Sequence, residues 1–144
     1  MRRLAPALVL LPLLLAACGG GRKSSAGFRL PDGDVHRGRA IFAEMKCSSC
    51  HEVAGESFPA PIADPPVAVT LGGVVSQPRT DGELFTAIVN PSHRLARPGR
   101  DGVVASGRLS RMGDFGEALT VHDLVDVVAY VQSTYEVVPP PAGP

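Results

Sequence analysis

Residues 46–55 read KCSSCHEVAG: two thiols, Cys47 and Cys50, two residues apart, with the imidazole of His51 directly after the second. Three chemistries use thiols at this spacing. A structural zinc site needs further Cys or His ligands, normally as a second pair, and His93 and His122 stand alone. A thioredoxin-like redox pair needs a strand before it and a βαβ pattern around it, whereas the residues ahead of Cys47 have a helical period. A plain disulfide gives the adjacent histidine no role. The third chemistry is covalent haem attachment. Two thiols add across the vinyl groups of one haem, and the following histidine lies beneath the ring as the proximal iron ligand.

The rest of the chain bears on whether such a group suits it. Its 144 residues and formal net charge of zero indicate one domain. Arg2 and Arg3 precede an apolar run, Leu4 to Ala17, that is too short for a membrane span and is broken by prolines. A basic start, a short apolar core and small residues at its end mark an export signal. Arg2-Arg3 alone does not establish a twin-arginine route. Leu15-Ala16-Ala17-Cys18 resembles the lipobox of bacterial lipoproteins, so Cys18 is expected to be lipidated as the first mature residue. That accounts for the odd one of three cysteines.

Residues 1–17 are therefore read as a signal peptide and 18–31 as a lipidated flexible tether, GGGRKSSAGFRLP after the cysteine. Residues 32–136 are read as the folded domain and 137–144 as a proline-rich tail. The expected location is the periplasmic side of a membrane, and the glycines after Cys18 favour the outer membrane. Losing Arg2 and Arg3 leaves 12 basic against 14 acidic residues. That balance offers nucleic acid nothing. Roughly 105 residues remain for a core without tryptophan, so an apolar ligand inside it would help.

Three segments read as helices. DVHRGRAIFAEMK begins at an Asp34 cap and aligns Val35, Gly38, Ile41, Phe42 and Met45. Thr80 to Glu83 forms a capping box ahead of Leu84, Phe85, Ile88 and Val89, and Pro91 ends that helix by Asn90. Thr120 and Asp123 cap a third, with an apolar stripe of Val121, Leu124, Val125, Val128, Val131 and Tyr135. Asp123, Asp126 and Ser133 are expected on its opposite face. No strand pattern is strong. Two long stretches, about 52–79 and 91–119, are full of Pro and Gly, and a bound cofactor would organise them.

With these residues in view, the chain resembles the class I monohaem c-type cytochromes, in a bacterial lipoprotein form. The resemblance covers most of Asp34 to Tyr135. It rests on GRAIFAEMKCSSCH, with Gly38 and Phe42 ahead of the cysteines, and on Tyr130 in VVAYVQ, where the last helix would cross the first. It implies an all-α, cytochrome c-like fold: three main helices with long Pro/Gly-rich loops around one covalently bound haem c.

The second axial ligand has two candidates. Met112, in SRMGDFG, is 61 residues after His51 and just before the last helix, the region in which the family places its distal methionine. Gly113 stands where the family usually has proline. His93 is the other candidate, while Met45 lies on the proximal side and His36 and His122 read as surface residues. The family also has a proline carbonyl that accepts a hydrogen bond from the proximal histidine, for which Pro65 and Pro66 both qualify.

These readings imply an electron carrier, not an enzyme, that meets redox protein partners. The rivals are a haem enzyme or gas sensor with an open distal site, and a fixed subunit of a larger redox complex. Between Arg94 and Arg111 stand five arginines (94, 97, 100, 108 and 111) against Asp101 alone, whereas residues 112–136 carry five acids and no Lys or Arg. A basic segment leading into Met112 suits a partner with an acidic docking face.

Overall fold

The computed structural model describes residues 28–59, 69–95 and 105–138. The expected signal, Cys18, most of the tether, Pro65, Pro66, Arg97, Arg100 and the last six residues lie outside them.

The three expected helices form where the local chemistry starts and stops them. Helix α1 spans Val35–Glu44, and the Asp34 carboxylate accepts from the Arg37 amide at 2.9 Å. Helix α2 spans Asp81–Val89. Its capping box is complete: Thr80 Oγ1 accepts from the Glu83 amide, and Glu83 Oε2 accepts from the Thr80 amide at 3.0 Å. Helix α3 spans Val121–Ser133 with the same device between Thr120 and Asp123.

The all-α expectation is not confirmed: among the described residues six short strands are present as well. Strands β1 (His51–Val53) and β2 (Val69–Leu71) pair in parallel, as do β3 (Gly73–Val75) and β6 (Tyr135–Val137). Strands β4 (Ala105–Ser106) and β5 (Leu109–Ser110) make an antiparallel hairpin turned by Gly107 at φ +60. Strands of two or three residues carry no legible alternation. Strand β6 also takes Val137, expected in the tail, into the fold, and the Val138 amide bonds the Val75 carbonyl.

The core is built on the crossing of α1 and α3, the most extensive contact between elements. Gly38 makes the crossing possible. A Cβ there would lie 2.0 Å from the Asp126 carbonyl oxygen and 2.9 Å from Tyr130 Cβ, so any side chain would force the helices apart. Phe42 packs one turn on, edge against Tyr130 at 5.5 Å, and both are almost wholly buried. Burying each such side chain contributes roughly 1.5–3 kcal/mol.

Two residues of α3 depart from the sequence reading. Val121, expected in the apolar stripe, is 70% exposed in the first turn. Asp126, expected on the solvent face, is 1% exposed. The reason is pairing: its Oδ1 accepts from the Asp34 amide at 2.8 Å and its Oδ2 from Arg37 Nε. A buried carboxylate is tolerated when charge and hydrogen bonds both meet it. Here it fastens the start of α1 to the middle of α3.

The Asp34 amide, with Arg37 beside it, holds the Asp126 carboxyl below its ordinary range. A group depressed in the folded state stabilises above its unfolded value, about 3.9 for aspartate, and loses that contribution as pH falls through the folded value. Asp126→Asn is therefore expected to lower stability at neutral pH and to flatten the loss of stability below about pH 4. Denaturant midpoints measured against pH test this; parallel curves for both proteins would deny Asp126 that role.

Candidate haem-attachment site

Helix α1 delivers the cysteines. Met45 caps it, and Lys46, at φ +56, turns the chain into a single 3-10 turn over Cys47–Ser49. The turn closes with the Cys50 amide donating to the Cys47 carbonyl at 3.2 Å. Both thiols are half-buried and free. Burial pushes the Cys47 thiol up to about 11, so it rests as the thiol.

His51 opens β1, and β2 fixes its ring. Its register partner is Val69, whose amide donates to the Cys50 carbonyl at 3.0 Å and whose carbonyl lies 3.2 Å from His51 Nδ1. A carbonyl only accepts, so Nδ1 carries the proton and Nε2 keeps its lone pair. Burial lowers the affinity of His51 for a second proton, which leaves the neutral imidazole that metal ligation needs. Among the described residues the Val69 carbonyl makes this orienting bond; Pro65 and Pro66, from which it was expected, lie outside them. Its signal in the sequence was the short β-branched run after the prolines, but the pairing that uses it is non-local.

Met112 reaches the same place from the far end of the chain. The hairpin of β4 and β5 leads into it, the Ser110 amide donates to Ser92 Oγ at 3.0 Å, and the Met112 amide donates to Ser110 Oγ at 3.1 Å. Cys47, His51 and Met112 all line one cavity of about 80 Å³. Its remaining walls are hydrocarbon, including Phe42 of α1, Leu84 and Ile88 of α2, and Val127 and Val131 of α3.

Cys50 lies in the adjoining turn and is not on the cavity wall. His93 is elsewhere, exposed, with Nδ1 bonded to the Asn90 carbonyl at 2.9 Å, and it lines a separate open cleft beside Phe28. His36 and His122 are exposed, as expected. Met45 is not on the cavity wall.

The donor set fits haem c. Two thiols at attachment spacing, a neutral imidazole with a free Nε2, a thioether and an apolar lining are what that group requires.

Comparison with known proteins points the same way. The family model for cytochrome c matches residues 35–135, from the first residue of α1 to the first of β6. No curated protein and no solved structure matches the chain. The matched span includes the whole Cys47–His51 string and Met112, and covers well over half of the sequence. The chain belongs to the cytochrome c family, whose members carry covalently bound haem c.

Proposed function

We propose that this protein is a class I monohaem electron carrier held to the periplasmic side of a membrane through a lipidated Cys18. The family supports haem-based electron transfer in general. The observation that carries the finer reading is the meeting of His51 and Met112, one from each end of the domain, on a cavity otherwise walled by hydrocarbon. When bound, haem c would supply an iron that takes up and gives away one electron. Cys47 and Cys50 would hold it covalently, His51 Nε2 and the Met112 thioether sulfur would be its ligands from the chain, and the apolar walls would exclude water. With two ligands supplied by the chain, the iron would have no place open to a substrate, which favours electron transfer over catalysis. A thioether ligand and a dry lining also hold the ferrous state at higher potential than two imidazoles would.

Ferrous protein is expected to leave carbon monoxide unbound, Met112→Ala to bind it, and His93→Ala to behave as wild type. Rapid binding by the wild type would favour the enzyme or sensor reading with an open distal site.

Location rests on the sequence of the leader. Among the described residues no helix is long and apolar enough to cross a membrane, and attachment through Cys18 needs none. Cys18→Ser is expected to move the protein from the membrane to the soluble periplasmic fraction with an unchanged haem spectrum. Wild type that is already wholly soluble would refute lipidation.

The basic segment gives the docking proposal. Bonding of Ser110 to Ser92 ties the β4–β5 hairpin, which carries Arg108, to the turn after α2, which carries Arg94; both arginines are exposed, and Arg94 also pairs with Glu83 at 3.2 Å. A positive face there steers an acidic redox partner and speeds encounter more than it tightens binding. Arg94→Glu with Arg108→Glu is expected to slow electron exchange with the partner at low salt and to leave the midpoint potential nearly unchanged. An unaltered salt dependence would leave these arginines as ordinary surface.

A further inference from the structure

Helix α2 has two working faces. Leu84, Ala87 and Ile88 line the haem cavity, whereas Phe85, Thr86 and Val89, on the other side of the helix, line the cleft shared with Phe28 and Leu30. Phe28 and Leu30 fall in the stretch expected to be loose tether, yet both rest on the domain. The Phe28 ring stands edge-on to Phe85 with centroids 5.5 Å apart, and Leu30 packs against the core. A few residues on, Gly33 lies so close to α3 that a Cβ would sit 2.7 Å from the Val125 carbonyl oxygen and 2.8 Å from Ala129 Cβ. Asp34 then bonds Asp126 through its amide. Residues 28–34 thus form a strap from α2 onto α3, the two helices that supply six of the thirteen residues lining the cavity.

Helix α2 is held from two places outside the cavity. Gln132 on α3 fastens the start of α2, donating to the Arg79 carbonyl and to Asp81 Oδ1, each at 2.8 Å. The middle of α2 is backed by Phe28 and Leu30. Where α2 goes, Met112 follows: Ser92, three residues past its end, accepts from Ser110, and Ser110 accepts from Met112. We infer that Phe28 and Leu30 are positioning residues of the redox centre, a clasp on the outer face of α2 that keeps its inner face closed over the haem and Met112 on the iron. This rests on the reading of His51 and Met112 as the axial pair.

The test uses the full-length holoprotein. Phe28→Ala with Leu30→Ala is compared with Phe58→Ala, which removes a ring packed on Phe42 of α1 and lines neither the cavity nor the cleft beside Phe28, at denaturant concentrations that match their stabilities. The strap variant is expected to bind carbon monoxide in the ferrous state at least about tenfold faster than Phe58→Ala, through exposed haem and a loosened thioether bond. Its midpoint potential is expected to fall, and Phe28→Leu with Leu30→Met to restore both. Equal carbon monoxide binding by the two variants at matched stability would overturn the inference. If the double variant does not fold, Phe28→Ala alone carries the same comparison, and faster or equal binding decides it in the same way. Binding by the wild type would instead strike at the axial pair, so the two failures are distinguishable.

Discussion

Everything that binds in this protein is set by how closely α1 and α3 approach. The contact is made backbone to backbone, Gly38 against the Asp126 carbonyl, and it tolerates no side chain. One turn further along α1, Phe42 reaches the cavity, and five residues after Phe42 the chain turns to present Cys47. On the other helix, the face that meets α1 carries Tyr130 and Asp126, while Val127 and Val131 wall the cavity. The crossing therefore fixes the attachment turn relative to the apolar surface that covers a haem. Asp126 reinforces it with a charge that its neighbours keep ionised, which adds direction to a contact that burial alone would leave free to slide.

Around that frame, the site assigns separate tasks to separate elements. The attachment turn holds thiols, and burial keeps that of Cys47 protonated at rest. Strand β2 sets the tautomer of His51, and the hairpin of β4 and β5 leads into Met112 on the wall of the same cavity. None of these elements is long enough to be stable alone. Each is held by hydrogen bonds to neighbouring segments, and a covalently attached macrocycle would be their common support. Loops of this kind become ordered when an apolar surface is available for them to pack on.

Features that depend on neighbours in sequence were legible from the sequence. The Asp34 cap and the boxes at Thr80–Glu83 and Thr120–Asp123 form as expected, because each is decided within four residues. The attachment string and the Gly38–Tyr130 crossing were also readable, since both need particular residue types at particular spacings. Features decided by distant partners were not. Asp126 looks like an exposed residue of an amphipathic helix, and only the Asp34 amide and Arg37, 92 and 89 residues away, make its burial tolerable. The parallel pairs β1–β2 and β3–β6 join strands of three residues. The carbonyl facing His51 belongs to Val69 because of that register, a fact no local pattern announces. Phe28 and Leu30 sit in a glycine- and serine-rich stretch whose composition conceals their grip on α2.

The central claim is that His51 and Met112 hold one iron between them. X-ray absorption at the iron edge of the purified ferrous and ferric protein measures this directly. One sulfur scatterer is expected beside the nitrogen shell in both oxidation states, lost in Met112→Ala and retained in His93→Ala. A shell of nitrogen alone in the wild type, or a sulfur that survives Met112→Ala, would contradict it.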